Sequence, residues 1–490
     1  MTNTQKLAQF ISGNQEIPRQ VLNMASRLIM DSIGCALGAL RSEQANVVLE
    51  YTRAQGVGDE RVLGTGILAG PSAAAYANGR LINIIDMDET YLVLGHHANA
   101  ALGAALALAK TCHLTGEGLL RAFVIGYEVG ARVGNFMGVQ LKTDRNGKVC
   151  GWNFPGPCLG TFAACASACV CLGLSAEQVE NALGICAMYL PSNSGGIWEE
   201  GRKRSTLPTV KYEDCGLNTQ CGLMAAQMAG AGITGTLGIF ERDVSLAQVA
   251  SPGCTPNYEA IVDNLGEDWR LLRTSYKLWP SCRWFHYALT ALQYAIHGKS
   301  FEPEMIKSVE IWSASSCVLN ASPEIGKNTE MDASFSVPHS VAMVLMGVPA
   351  GPKWFDPTLV YDTKVAELRR KVKIYLNPEL ENAKTWGNYQ CWGQAGAALK
   401  VPSRVVVTTC DGDTLEGYTE YALGDGWNEM VCLSDETLKE KFVTVASAAD
   451  PDSSTWNERI RILADRILRI ADEPSAEQLL ADLDVDTFCR

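Results

Sequence analysis

Between residues 84 and 97 the chain reads IIDMDETYLVLGHH, with Asp86, Asp88 and Glu89 inside four positions and His96 and His97 side by side. Carboxyls so close raise the pKa of at least one of them unless cations or solvent relieve the repulsion. A histidine just ahead of a helix, facing a cleft, can give or take a proton near neutral pH. Three uses fit this stretch: acid/base chemistry, a helix cap with solvated acids, or a metal site built from Asp86, Asp88 and His96. The metal reading lacks further ligands at an obvious spacing.

Cations that could face such a site stand far away in the chain. Lys211 immediately precedes a long uncharged segment, and SYKLWPSCRWFHYALTALQYA brings Lys277, Arg283 and His286 around Pro280. If CRWFHYALTALQYA is a helix, Arg283 and His286 share a face, with Cys282 near its start. A guanidinium there can hold a carboxylate in a fork or pair with a structural acid. In DASFSVPHSVAMVLMGV, Pro338 marks a first helical turn that aims His339 from the helix start; a buried, satisfied histidine is the plainer use.

The elements that must position these groups are mostly helices. From residue 1 to about 268 the apolar residues recur at helical spacing, as in PRQVLNMASRLIMDSIGCALGAL, where Pro18 suits a first turn. SAEQVENALGICAMYL opens on Ser175 and Gln178 at capping-box spacing. Almost nothing in this half alternates with period two. Gly151–Leu174 and Cys215–Phe240 lack charge, yet their prolines, amides and glycines argue against membrane spans; they read as central helices, apolar on every side. From 269 to 424 the β-branched segments IKSVEIWSAS, RRKVKIYLN and SRVVVTTCDGDTLEGYTEYAL predict a smaller α+β domain, with a hairpin turn at Asp411, Gly412 and Asp413. Residues 425–490 return to helix, with Ser434 and Ser475 as N-caps, and are expected to pack back on the helical domain.

Composition narrows the partners. With 490 residues, 47% of them apolar, the chain is long and apolar enough for at least two folded domains. A net charge of −13 without a basic run excludes a nucleic-acid partner and leaves an anionic small molecule open. The polar N-terminal MTNTQKLAQFISGNQEIPRQ predicts a cytoplasmic protein, with no membrane attachment. None of the seventeen cysteines forms a C-x-x-C, and many sit among small residues, where Cys165, Cys169 and Cys171 read as small buried hydrophobes. No G-x-G-x-x-G, Walker lysine motif or G-x-S-x-G elbow is present.

Six stretches in order along nearly the whole chain resemble the MmgE/PrpD family: MDSIGCALGA, NGRLINIIDMDETYLVLGHHANAALGAALALAK, GYEVGARVG, KYEDCGLNTQCGLMAAQMAGAGITG, YKLWPSCRWFH and FSVPHSVAMVLMGV. The family's activities include 2-methylcitrate dehydration, cis-aconitate decarboxylation and iminodisuccinate epimerisation. The resemblance implies a mainly α fold, a large discontinuous helical domain with a smaller α+β lid and an active site between them. It further implies a homodimer without metal or organic cofactor, and site positions at Asp86, His96, Lys211 and Lys277. Four positions depart from the family pattern. Asn153 follows Gly151-Trp152 where a histidine is frequent, Asp214 follows Lys211 where another histidine is common, His97 replaces a proline, and His339 stands where tyrosine is usual.

The reactions of that family share a step in which negative charge builds on a carbon next to a carboxylate. Without a metal, that charge needs preorganised cations and an acid/base pair in a dry cleft. Lys211, Lys277 and Arg283 suit the cation role, and His96 suits proton transfer, tuned by Asp86 and partnered by His339. Asp88, His97, Asn153 and His286 complete the expected binding set. The expectation is a cofactor-independent lyase on a small polycarboxylate or β-hydroxy acid, a dehydratase first. A decarboxylase or epimerase on the same scaffold and a non-catalytic carboxylate binder are the alternatives.

Overall fold

The uncharged, small-residue segments supply central helices only in part: Gly160–Cys171 and Cys215–Gly230 are helical, whereas Gly151–Asn153 belongs to a strand and 231–240 leaves the helix. In the computed structural model, which describes residues 1–91, 95–137, 140–143, 149–153, 159–190, 206–211, 214–243, 246–250, 256–380 and 400–488, six helices matter most. They are α1 (Arg19–Ala39), α2 (Pro71–Asn83), α3 (Ala98–Leu106), α4 (Gly116–Met137), α5 (Gly160–Cys171) and α6 (Cys215–Gly230). Helix α5 packs against α3, α4 and α6, while α2 packs against α1, α3 and α6. Glycine sets how close they come. A Cβ on Gly79 of α2 would sit 2.2 Å from Thr219 Oγ1 of α6, and one on Gly222 of α6 would sit 2.3 Å from the Thr161 carbonyl of α5. Larger residues at these crossings would force the backbones apart.

Local signals hold in most places. Ser175 and Gln178 form the reciprocal capping box. Pro18 is the residue before the first helical position of α1, one step earlier than a first-turn reading places it. The expectation that strands begin only in the second half needs correction. β1 (Glu60–Arg61) pairs with β2 (Leu68–Ala69), and β3 (Gln140–Thr143) with β4 (Val149–Asn153), all antiparallel. Two-residue strands are too short to show alternation, and at β3 and β4 the readable signal is the Asn146-Gly147 pair between them in the sequence.

The α+β part is a four-stranded sheet of β5 (Ile306–Ser313), β6 (Val372–Leu376), β7 (Ser403–Thr409) and β8 (Thr414–Thr419), in the order β6-β5-β7-β8. β5 and β6 run parallel, and the other pairs are antiparallel. The β7–β8 turn uses Gly412 at φ +93°, a conformation that costs glycine little. Helix α7 (Phe285–Ile296) covers β7 and β8, and α8 (Val337–Leu345) packs on α7.

The chain then returns to its beginning. Helices α9 (Asp435–Ala446) and α10 (Ser454–Leu468) pack on α1, and Ser434 and Ser475 accept the N-terminal amide bonds of their helices. Where the sheet-bearing part begins, Ser275 bridges Thr90 on one side and Asp425 on the other. The molecule is thus a mainly α fold with a smaller α+β part. No helix among the described residues is long and apolar enough to cross a membrane.

Candidate active site

Helix α2 ends at Asn83, and the chain folds tightly through 84–91 before α3. Asp86 in this loop has φ +51°, and Lys211, just ahead of α6, has φ +62°. Neither is glycine, so each is held in a costly conformation by its surroundings, as happens where geometry serves a site. What holds them is one another. Asp86 Oδ1 accepts from Lys211 Nζ at 2.5 Å and from Lys277 Nζ at 3.1 Å. Lys277 Nζ also donates to the Asp86 carbonyl at 3.1 Å, and Lys211 Nζ to Asn83 Oδ1 at 3.1 Å. All three charged groups are buried. Burial alone would push the Asp86 carboxyl up, but the two ammonium groups and His96 outweigh it and lower its pKa. Burial acts to lower the pKa of Lys277, yet Asp86 and Asp88 keep it above the ordinary value.

Two residues on, Asp88 does a different job. Its oxygens accept from Asn83 Nδ2 at 2.9 and 3.2 Å, from Asn99 Nδ2 at 3.1 Å and lie 3.2 Å from His96 Nδ1. Burial opposes ionisation, but His96 and both lysines hold this carboxyl well below the usual range. An ionised Asp88 can only accept, so His96 Nδ1 carries the hydrogen and Nε2 is left to exchange a proton with a bound molecule. Sequence spacing alone makes Asp86 the expected tuner of His96. The structure gives Asp88 the hydrogen bond and Asp86 the lysines, because the left-handed turn at Asp86 aims consecutive acids in different directions.

His97 turns the other way. It is fully buried, its ring 5.8 Å from the Tyr91 ring and 5.5 Å from that of Tyr127. Among the described residues both ring nitrogens lack a partner, and a Cβ on Gly130 of α4 would come within 2.7 Å of Nδ1. Burial, with a smaller push from His96, lowers its pKa to about 3. It behaves as a neutral core ring packed on α4.

The other expected residues find partners outside this cluster. Helix α7 starts only at Phe285, so Arg283 lies ahead of it and does not share a helical face with His286. Arg283 pairs with the buried Asp425, lies 5.2 Å from the Tyr287 ring and donates to the Tyr276 carbonyl at 3.4 Å. Asp425 in turn accepts from Ser275 Oγ at 2.5 Å, tying two chain segments behind Lys277. His286 is buried against Trp279 with neither nitrogen partnered among the described residues, and burial, then Arg283 and Lys277, keeps it well below the usual histidine range. His339 Nε2 lies 2.8 Å from the Trp354 carbonyl, which makes that nitrogen a donor, and burial lowers its pKa to about 4. Asn153 ends β4, with its backbone opposite Gln140; its side chain lies outside the described residues. Asp214 caps α6, accepting from the amides of Gly216 and Leu217.

Several contributors escaped the sequence reading. Asn83 and Asn99 flank the acidic loop and fix both Asp88 and Lys211, and their only signal is an amide inside an otherwise small-residue helix. Lys441 of α9 donates to the Met87 carbonyl at 2.8 Å and pairs with Asp31 of α1 at 2.5 Å, both buried. Phe335 lies 5.7 Å from Lys211 Nζ, and with Leu207 and Met331 it forms a small apolar wall that Cys282 also touches. Among the described residues no three His, Cys, Asp or Glu side chains converge as metal ligands would. The assembled arrangement offers two buried cations, one ionised acid between them and an oriented imidazole beside it. Such a set can hold a carboxylate and move a proton at an adjacent carbon.

Residues 5–259 match the family model of the MmgE/PrpD N-terminal domain, and residues 279–466 that of the MmgE/PrpD C-terminal domain. Among curated proteins, the chain is 29% identical over 295 residues to the cis-aconitate decarboxylase-like protein oryM of Aspergillus oryzae (strain ATCC 42149 / RIB 40), covering 57% of this chain and 58% of that protein. It is 27% identical over 486 residues to cis-aconitate decarboxylase of Aspergillus terreus, covering 93% of this chain and 90% of that one. Human cis-aconitate decarboxylase is 27% identical over 194 residues, or 38% of this chain and 39% of its own length.

Proposed function

Because the chain belongs to the MmgE/PrpD family, we propose that it is a lyase that removes CO₂ from a small unsaturated polycarboxylate, using its own side chains for the chemistry. The family match and the relatives support an enzyme of the lyase class. The names of the relatives favour decarboxylation over the dehydration expected first from the sequence. The observation that carries the reading is the Asp86 carboxylate between two buried lysines, next to the Asp88–His96 pair.

The reaction follows from those groups. A bound carboxylate takes the remaining N–H of Lys277, whose other donors are engaged by Asp86. When the bond between the leaving carboxylate and its carbon breaks, the electron pair spreads into the neighbouring unsaturated acid. Negative charge then grows beside Lys277 and Lys211, where burial makes each cation worth more than in water. CO₂ departs, and His96 Nε2–H delivers the proton that the carbon now needs. Asp88 keeps the resulting ring oriented and stabilises its protonated form before the step.

The test is turnover of a panel that includes cis-aconitate and 2-methylcitrate, run in D₂O. A decarboxylase releases CO₂ and leaves one deuterium on the product carbon. A dehydratase gives an alkene without CO₂, and an epimerase washes deuterium into recovered substrate. His96→Ala and Lys277→Ala should each lower kcat by roughly 100-fold or more, the loss typical of removing an acid/base or charge-stabilising group. Near-normal turnover in both variants would remove the basis of the assignment.

A further inference from the structure

Lys211 reaches Asp86 from a turn rather than from a helix. Its amide donates back to the Pro208 carbonyl at 3.0 Å, and its own backbone stands at φ +62°. Pro208, Thr209 and Val210 are exposed, so burial does little to fix them. Hydrogen bonds at the start of the segment do more. Asp332, on the short helix Thr329–Ser334 of the α+β part, accepts the Leu207 amide on Oδ1 at 2.8 Å and the Thr206 hydroxyl on Oδ2. Oδ2 also accepts the Asn328 amide at 3.2 Å, and Asn328 Nδ2 donates to the Leu207 carbonyl. Both backbone polar groups of Leu207 are thus taken by the α+β part, and its side chain packs with Met331 and Phe335.

The surroundings of this bond are built tightly. A Cβ on Gly326 would sit 2.4 Å from Asp332 Oδ2 and 2.6 Å from Thr206 Oγ1, so the loop ahead of the helix closes over the pair only because that residue is glycine. A carboxyl that merely ordered its own helix start would need the Asn328 amide alone; here Oδ1 accepts from the other segment instead. On the opposite flank, Arg80 of α2 donates to the Thr209 carbonyl and, at 3.3 Å, to Gln44 Oε1. The turn is therefore held at 206–207 by the α+β part and at 209 by the helical part, and two residues later Lys211 leaves it for Asp86 and Asn83. Phe335, which ends the helix of Asp332, has its ring 5.7 Å from Lys211 Nζ. One short helix meets both the root and the tip of the lysine.

We propose that Asp332 is a positioning residue for Lys211: its carboxylate anchors residues 206–207 on the α+β part, and the turn so anchored aims the lysine at Asp86 and at the bound anion. A non-glycine residue in the left-handed region persists only where its surroundings fix it, and this anchor supplies part of that constraint. The consequence for turnover rests on the proposed lyase reading, in which Lys211 meets the charge that grows as CO₂ leaves while Lys277 holds the substrate carboxylate. Slackening the turn should then act on the chemical step rather than on binding, since misplacing a charge-stabilising group by about 1 Å costs up to about 100-fold.

Asp332→Ala tests it, with Thr206→Val as a near-isosteric second variant that removes the hydroxyl and spares the helix. Each should lower kcat at least about 30-fold with KM within about threefold of the wild type. Thr206→Ser, which keeps the hydroxyl, should regain what Thr206→Val loses. A second measurement needs no substrate. Lys211 and Lys277 are both buried, so acetic anhydride should modify neither quickly in the wild type. In Asp332→Ala and Thr206→Val, peptide mass spectrometry should find Lys211 acetylated at least about fivefold faster while Lys277 keeps its wild-type rate. Equal acceleration at both lysines means general loosening and overturns the positioning role, as does a wild-type rate at Lys211 in both variants. A change confined to KM, or a Thr206→Ser variant as slow as Thr206→Val, also overturns it. If the wild type turns over no carboxylate on the panel, the lyase reading fails, while the labelling of Lys211 still decides whether Asp332 positions it.

Discussion

Asp86→Asn and the two lysine substitutions should separate stability from function. Asp86 Oδ1 is shared by Lys211 and Lys277 at 2.5 and 3.1 Å in a buried site. Removing one lysine as Lys→Met leaves Asp86 with one ammonium partner. Removing the carboxylate leaves two ammonium groups against one neutral amide. Relief then requires a lysine to shed its proton. From an ordinary value of 10.5 to pH 7 that costs about 5 kcal/mol at about 1.4 kcal/mol per unit, close to the roughly 3–5 kcal/mol measured when one partner of a buried pair is deleted. Asp86→Asn should thus lose about 3–5 kcal/mol, while Lys211→Met and Lys277→Met lose about 1–2 kcal/mol and still abolish turnover. Urea unfolding followed by tryptophan fluorescence from about pH 2 to about pH 10 is the assay. The Asp86→Asn penalty should shrink toward pH 10, where lysine deprotonation becomes cheap. It should also shrink in acid: the folded pKa of Asp86 is lowered, so its stabilising contribution is present above the unfolded value of 3.8 and lost as pH falls through the folded one. A penalty that is flat across this range, or no larger than those of the lysine variants, would refute the shared-carboxylate argument.

Other outcomes follow from the same geometry. Asp88→Asn should lower kcat by at least about 100-fold, since the ring of His96 loses the ionised acceptor that fixes its tautomer, and should also lower Tm, since the fold holds this buried carboxyl well below its usual range. His97→Phe should fold and turn over normally, in contrast to His96→Ala. It should also resist acid better, because a folded pKa near 3 makes wild-type stability fall as pH drops below the unfolded value of 6.5; acid-midpoint shifts measure this. Gly130→Ala should cost about 1–3 kcal/mol by driving a methyl into the His97 ring.

The architecture was readable because its signals are local and redundant. Small residues on every side of α5 and α6 announce helices packed among helices, and the alternation in β7 and β8 with Asp411-Gly412-Asp413 between them announces a hairpin. The buried cluster was readable for a related reason: Lys211 and Lys277 are cations at the edges of sequence too apolar for ordinary surface, and the structure brings both to Asp86. Partnership was not readable. Whether Asp86 or Asp88 meets His96 depends on one positive φ, and Arg283 meets Asp425 across 142 residues. His339, aimed by its helix start as expected, meets the Trp354 carbonyl, an acceptor with no side-chain signature. Lys441 sits in an amphipathic helix among other lysines and glutamates, where nothing marks it as the one that turns inward.

That inward lysine bears on when the proposed lyase site is completed during synthesis of the chain. Lys441 grips the loop backbone at Met87 across 354 residues, and Asp86 waits for partners 125 and 191 residues downstream. Such long loops close late in folding. A ribosome-bound chain can bury its first helices and still hold Asp31 without its counter-charge, so the loop at Met87 gains its tie to Lys441 only when α9 docks. The constellation is in effect a completion check: a chain cut short before α9 would be expected to stay silent, however well its helical half had folded.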